Sequence, residues 1–155
     1  MLRRRHFTLS LLALASQGFG VSAQAAKAAR ILVVGDSLSA EYGLTRGTGW
    51  VNLLQQKLLQ ERPGTEVVNA SISGDTTSGG RSRLPALLQK HQPSHVIIEL
   101  GGNDALRGLP LNMTQDNLQA MTRQAQAAGA QVILLGMQMP PNYGPDMAKD
   151  RKSVV

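Results

Sequence analysis

Apolar and polar residues follow one another along the chain in two kinds of block, which predict strands and helices in turn. Short continuous apolar runs are typical of strands buried on both faces of a parallel sheet. They predict strands at 31–34, 66–69, 96–100 and 132–135. The intervening segments carry apolar residues at helical spacing and predict helices at 50–59, 78–88 and 114–128. Pro63 and Gly64 end the first helix, Pro93 closes the second, and the third has Thr114 as N-cap and Gly129 as its stop.

Strands that alternate with helices of this length predict βαβ units and a three-layer α/β/α sandwich with a mostly parallel sheet. A chain of 155 residues has room for one such domain. In open α/β sheets the ligand site lies beyond the carboxyl ends of the strands. The loops expected at that edge cover residues 35–37, 71–75, 101–104 and 138–143.

The first residues predict a signal peptide at 1–26, which leaves 27–155 as the folded domain. Arg3, Arg4 and Arg5 precede an apolar run at 9–14, and small residues follow as cleavage sites. This run is too short for a stable membrane anchor, which needs about 20 apolar residues. Arg4-Arg5-His6-Phe7 fits a twin-arginine signal, and the general secretory route is the alternative. Either route predicts a periplasmic or secreted protein.

Charge and composition exclude several classes of function. Removal of residues 1–26 takes three arginines away and lowers the net charge from +6 to +3. Aromatic residues make up only 3% of the chain, so few side chains are available to stack on bases, and nucleic-acid binding is not expected. The absence of cysteine excludes disulfides, cysteine catalysis and thiolate metal sites.

Chemistry-bearing residues stand directly after two of the predicted strands. Gly35-Asp36-Ser37 follows the first strand, and Gly101-Gly102-Asn103-Asp104 follows the third. Each motif alone has an ordinary interpretation: Asp36 or Ser37 could cap the next helix, and Asn103 could be a turn amide. The loop 71–77 could be a phosphate-binding turn, but it lacks the Gly-Lys-Ser/Thr ending that reaches phosphates.

Taken together, these segments resemble the SGNH (GDSL) hydrolases over about residues 29–148. The resemblance is carried by residues 35–40, 67–76, 83–88, 92–93, 99–104 and 141–144. It implies a flavodoxin-like sheet. It also implies hydrolysis of esters or thioesters, of the acyl-CoA thioesterase, lysophospholipase or arylesterase type. No metal and no organic cofactor is implied, the partner is a small acyl ester or thioester, and a monomer is expected.

The resemblance also implies the roles of individual residues. Ser37 would be the nucleophile, and the oxyanion would be held by the backbone N–H groups of Ser37 and Gly74 and by the side-chain amide of Asn103. Asp36 and Asp104 are expected to brace their loops by hydrogen bonding. The substrate would contact Leu106, Leu109 and Tyr143, and the segment 105–110 would gate the acyl-chain side, unless it is an ordinary strand-to-helix connection.

Two features depart from the family pattern. Glu41 stands where many relatives carry glycine, either to tune the charge preference of the site or as a solvated helix residue. The family's base and its orienting acid come from a late Asp-x-x-His motif beyond a fifth strand, and we expect the chain to stop before that region. His91 lies at a helix end and His95 at the amino end of a strand, so neither is expected to replace it.

These departures leave three hypotheses for the chain as it stands. The first is an exported serine hydrolase that is inactive in this form. The second is a noncatalytic module that binds acyl chains or carbohydrates, and the third is an inactive gene fragment. A missing triad member typically lowers turnover by about 10⁴ to 10⁶.

Overall fold

The computed structural model describes residues 29–137, and these form four parallel strands and four helices. The elements in chain order are β1 Arg30–Gly35, α1 Trp50–Glu61, β2 Glu66–Asn69, α2 Thr77–His91, β3 His95–Glu99, α3 Gly102–Leu106, α4 Leu111–Ala127 and β4 Gln131–Leu134. The predicted signal peptide at 1–26 and Tyr143 lie outside the described residues.

The sheet has the strand order β2-β1-β3-β4, and every pair of neighbours is parallel. Its register pairs Leu32 of β1 with Val68 of β2 and Val96 of β3. The order 2-1-3-4 is that of flavodoxin-like sheets, in which the connections leave β1 and β3 in opposite directions. All four carboxyl ends meet at one edge, and the gap between β1 and β3 is the expected place for a ligand.

Helices cover both faces of the sheet, which confirms the three-layer architecture predicted from the sequence. On one face, Leu84 of α2 and Met121 of α4 pack against Val34 and Ile98 of the sheet, and all four side chains are at most 1% exposed. On the other face, Val51 of α1 packs with the alternate strand residues, Val33 and Ile97 among them. Continuous apolar strands are needed because both faces are buried.

The expectation that Thr114 is the N-cap of α4 was wrong. Helix α4 begins at Leu111, and its N-cap is Pro110, which makes no capping bond, whereas Thr114 was expected there. Thr114 lies within the first turn, where its hydroxyl donates to Asp104 Oδ1 at 3.4 Å. The Thr114 hydroxyl, which was expected to cap α4, therefore binds a carboxylate outside that helix. The segment 105–110 is also partly helical, because α3 runs through Leu106.

Helix α2 is longer than the apolar pattern indicated. It begins at Thr77, and the side chain of Thr76 caps it by accepting a bond from the Gly79 N–H at 3.3 Å. Its first turns are rich in glycine and serine and carry no apolar face, so their helical state was not visible in the pattern. Within residues 29–137, no helix is long and apolar enough to cross a membrane.

The core predicts a large difference between two leucine substitutions. Leu84 is fully buried between α2 and the sheet, so Leu84→Ala should lower the free energy of unfolding by about 2–5 kcal/mol. Leu59 is 55% exposed on α1, and Leu59→Ala should change it by no more than about 0.5 kcal/mol. Urea unfolding followed by circular dichroism measures both. Equal losses in the two variants would contradict this packing.

Candidate active site

Ser37 lies in a tight turn at the carboxyl end of β1. The carboxylate of the buried Asp36 accepts a bond from the Leu38 N–H at 3.0 Å, and the Asp36 carbonyl accepts from the Ala40 N–H at 2.9 Å. These bonds fold the chain sharply just past the strand, with Ser37 half-buried at the turn. The alternative that Asp36 or Ser37 caps the next helix is wrong, because α1 starts only at Trp50 and its N-cap is Gly49.

The loop after β2 runs alongside this turn and carries Gly74. The Ile72 N–H donates to the Gly35 carbonyl at 3.0 Å, which keeps the loop beside the end of β1. Gly74 has a φ of +79°, a conformation that favours glycine. A Cβ there would meet only Arg107 Nη2 at 3.9 Å, so the backbone angle, and not crowding, requires glycine at this position.

Asn103 joins the two loops. Its side-chain nitrogen donates to Asp36 Oδ2 at 3.0 Å and to the Asp75 carbonyl at 2.9 Å. Asp36 precedes Ser37 and Asp75 follows Gly74, so the structure brings together the three residues that the sequence singled out. Both hydrogens of the amide are bonded to protein, and an oxyanion at this position would take the place of one of these acceptors.

Arg83 of α2, a site residue that sequence reasoning missed, forms hydrogen bonds with the same two loops. Its guanidinium donates to Asp75 Oδ2 at 2.8 Å, to the Ala70 carbonyl, and to the Gly35 carbonyl at 3.4 Å. The side chain is only 20% exposed. Arg81 lies two residues away on α2 and binds Asn117 instead, so the sequence pattern does not show which arginine points to the site.

Asp104 is fully buried and braces the helices behind the site. Its carboxylate accepts bonds from the backbone N–H of Thr77, at 2.8 Å, and from the Thr77 hydroxyl. The Thr77 oxygen in turn accepts from the side-chain amide of Asn117 on α4 at 3.1 Å. Asp104 therefore links α3 to the start of α2 and to α4. These bonds give Asp104 the bracing role that was expected of it, and the bonds of Asp36 do the same.

Glu41 closes the long loop between Ser37 and α1. Its φ is +59°, and its carboxylate accepts bonds from the Gly47 N–H at 2.9 Å and the Gly49 N–H at 2.8 Å. The bond from Gly47, and next the bond from Gly49, lower the pKa of Glu41 below its ordinary value. The interpretation of Glu41 as a solvated helix residue is wrong, since it lies in a turn. An influence on substrate charge stays a prediction.

Both histidines of the described residues lie at the opposite edge of the sheet from Ser37. His91 ends α2, and its carbonyl accepts a bond from Arg30, the first residue of β1, at 2.7 Å. His95 begins β3, and its Nδ1 lies 2.9 Å from Ser94 Oγ. The six residues of β1 separate that edge from Ser37 by about 20 Å. Neither imidazole can accept the Ser37 proton.

The segment after Asn103 lies beside the Gly74 loop. Arg107 donates to the Gly74 carbonyl at 2.8 Å. Leu106 is 54% exposed, and Leu109 is partly buried where its N–H donates to the Asp104 carbonyl at 2.9 Å. In the described part of the chain, no three residues among histidine, aspartate and glutamate are grouped so that they could hold a metal ion.

Two curated relatives are similar to this chain in sequence. The chain is 57% identical over 122 residues to Esterase TesA of Pseudomonas aeruginosa and 46% identical over 121 residues to thioesterase 1/protease 1/lysophospholipase L1 of Escherichia coli K12. These matches cover 79% and 78% of the chain and span 61% and 57% of the two relatives.

A solved structure agrees with these sequence matches. The psychrotrophic esterase EstA from Pseudoalteromonas sp. superposes with a TM-score of 0.72 at 50% identity, and the match covers 77% of this chain and 66% of that one. The model of the GDSL-like lipase/acylhydrolase family matches residues 33–154, which is most of the chain. The resemblance found in the sequence is thereby confirmed, and the chain belongs to the GDSL-like lipase/acylhydrolase family.

Proposed function

We propose that the chain carries the nucleophile and the oxyanion site of a hydrolase of acyl esters or thioesters. The observation that supports this most is the bonding of the Asn103 amide to Asp36 and Asp75, which gathers the loops of Ser37 and Gly74 at the β1–β3 gap. A serine at the end of a buried strand with amide donors beside it is the arrangement that acyl transfer needs.

In this mechanism Ser37 Oγ attacks the acyl carbonyl and forms a new C–O bond, while its proton goes to a base. The carbonyl electrons move to the oxygen, which becomes an oxyanion bound by the N–H groups of Ser37 and Gly74 and by Asn103 Nδ2. Collapse of this intermediate breaks the bond to the alcohol or thiol, which leaves with the proton returned by the base. Water then attacks the acyl-enzyme and gives a proton to the base, and the second collapse releases the acid while Ser37 Oγ recovers that proton.

The base is the component that the described residues do not supply. His91 and His95 lie at the wrong edge of the sheet. The sequence contains no Asp-x-x-His, the motif that the family uses. We therefore expect slow turnover from this chain. Phosphonylation of Ser37 releases the same proton and should also be slow, but its single covalent adduct accumulates during a long incubation and is a better readout than hydrolysis.

We further propose that Leu106 and Leu109 contact the acyl chain of the substrate and that Tyr143 contributes to the same surface. Leu106 is 54% exposed beside the Gly74 loop, although it has no polar group to solvate. Tyr143 lies outside the described residues, so its part in this proposal rests on the family resemblance. Residues 1–26 would direct the protein to the periplasm or the medium.

The first test concerns the nucleophile. A fluorophosphonate probe should label the chain at Ser37, because the turn after β1 presents this hydroxyl beside the oxyanion donors. Ser37→Ala should abolish labelling, as read by gel fluorescence and mass spectrometry. Ser73→Ala removes an exposed serine from the neighbouring loop and is the matched control.

In that experiment, the double variant His91→Ala/His95→Ala should label as fast as the unaltered chain, since both imidazoles are remote from Ser37. Labelling that survives Ser37→Ala, or that depends on either histidine, would refute the proposed site.

The second test separates oxyanion binding from bracing by comparing two amides. Asn103→Ala should slow phosphonylation of Ser37 by about 10²–10³-fold, because the phosphoryl oxygen occupies the oxyanion position. Asn117 is a similar bridging amide, 5% exposed between α2 and α4. Asn117→Ala should lower the free energy of unfolding by about 1–3 kcal/mol and leave the labelling rate of the folded protein unchanged.

Labelling kinetics under native conditions and thermal unfolding, measured on both variants, decide between the two roles. If Asn103→Ala lowers stability but labels at the normal rate, Asn103 is only a turn amide.

A further inference from the structure

A buried carboxylate that the proposed mechanism does not use lies directly under the Ser37 turn. Glu99 ends β3 opposite Gly35 of β1, and it is only 6% exposed. Its Oε2 accepts a bond from the Ser39 hydroxyl at 2.8 Å and lies 3.5 Å from the Asp36 N–H. Both of these contacts are made by the turn that presents Ser37.

The hydrogen bonds around Glu99 run in one direction. Trp50 Nε1 lies 3.1 Å from Ser39 Oγ, and an indole N–H can only donate. Ser39 therefore accepts from Trp50 and must give its single hydrogen to Glu99. The series Trp50–Ser39–Glu99 links the start of α1, the nucleophile turn and the end of β3, and it requires an acceptor at Glu99.

Gly35 leaves the space in which these groups meet. A Cβ on Gly35 would lie 2.6 Å from Ser39 Oγ, closer than real Cβ atoms approach, and 3.0 Å from Glu99 Oε2, which is tighter than most such contacts. The φ of Gly35 is not in the positive range, so glycine is required here by crowding. The Gly-Asp-Ser sequence thus admits the Glu99 carboxylate beneath the turn, and this is a reason for the glycine besides the turn itself.

We propose that Glu99 is a positioning residue, whose ionised carboxylate holds the Ser37 turn in its reactive conformation through Ser39. This inference rests on the proposed function, since it assumes that Ser37 is the nucleophile. A hydrogen bond to an ionised acceptor is roughly twice as strong as one to a neutral acceptor, so protonation of Glu99 loosens the turn.

The surroundings of Glu99 raise its pKa above the ordinary value of a glutamate. Burial raises the pKa of Glu99, the Ser39 bond opposes the rise, and the negative charge of Asp36 adds to it. From the loop between Ser37 and α1, Glu41 faces Gly49 next to Trp50, and its pKa is lowered. Helix α1 places no acidic residue in its first turn. The pKa values of the two glutamates are therefore shifted in opposite directions.

The raised pKa also fixes the sign of an effect on stability. Between the ordinary pKa and the folded-state pKa, native Glu99 holds a proton that the unfolded chain has released. The stability contributed by Glu99 is thus fully present below the ordinary pKa and is lost as pH rises through the folded-state value. Relative to the unaltered chain, Glu99→Gln should gain in urea midpoint as pH rises through this window.

The experiment uses Trp50, the single tryptophan of the sequence, as a reporter that needs no catalysis. In the unaltered chain, Trp50 emission should show a transition as Glu99 ionises. Glu99→Gln and Ser39→Ala should both lack this transition, the first by removing the charge and the second by cutting the link. Asp116→Asn, which alters an exposed carboxylate on α4, should keep it.

Labelling of Ser37 by the fluorophosphonate tests the positioning role. At pH values above the transition, Glu99→Gln should label about five- to tenfold more slowly than the unaltered chain. The two rates should converge as pH falls through the transition, because both then hold a neutral group. Taking the ratio of the rates cancels the titration of any base that the two proteins share.

The outcomes separate this inference from the proposed function. If Trp50 titrates identically in Glu99→Gln, or if labelling rates agree at all pH values while Ser37 is labelled, the positioning role is overturned and the nucleophile assignment stands. If no variant is labelled at Ser37, the proposed function fails together with the positioning role. Only a lost transition together with a pH-dependent ratio supports the inference.

Discussion

The two hydrogen bonds of the Asn103 amide are the constraint on which the site depends. One reaches Asp36 and the other reaches the Asp75 carbonyl, so a single side chain of α3, the helix that follows β3, fixes the loops that follow β1 and β2. The sheet makes this possible, because parallel strands deliver their carboxyl ends to the same edge. Three further links join the turn of Ser37 to the loop of Gly74: Arg83, a backbone bond from Ile72 to Gly35, and Asn69. The Asn69 side chain donates to the Ser39 carbonyl at 2.7 Å and accepts from the Ser71 N–H at 3.1 Å.

Buried carboxylates do much of the structural work at this edge, and each acts as an acceptor. Asp36 binds Asn103, Asp104 binds Thr77, and Glu99 binds Ser39. Burying an ionised group is costly unless hydrogen bonds offset the loss of water. For Glu99 the offset is incomplete, since its pKa is raised by burial. A buried ionised group that positions the nucleophile turn lowers the stability of the fold while it fixes the geometry of the turn.

Apolar periodicity predicted the strands, and the rule that parallel strand ends meet predicted that the loops after them share one edge. The choice of Ser37, Gly74 and Asn103 within those loops came from the family resemblance. Partners fixed by register were not predictable in this way. Glu99 stands in an apolar run and looks like an ordinary strand residue until the pairing with Gly35 places it beneath Ser39. The N-cap prediction for Thr114 was wrong because the Thr114 hydroxyl donates its hydrogen bond to Asp104, which lies outside α4. No local sequence pattern reveals this partner.

The central claim is that Ser37, Gly74 and Asn103 together bind the oxygen of a tetrahedral adduct. A crystal structure of the chain after reaction with a fluorophosphonate tests it most directly. The account predicts phosphorus on Ser37 Oγ and the phosphoryl oxygen about 2.7–3.1 Å from Asn103 Nδ2 and from the nitrogens of Ser37 and Gly74. It also predicts that Asn103 exchanges one protein acceptor for this oxygen. A phosphoryl oxygen turned away, with Asn103 still bonded to both Asp36 and Asp75, would contradict the claim.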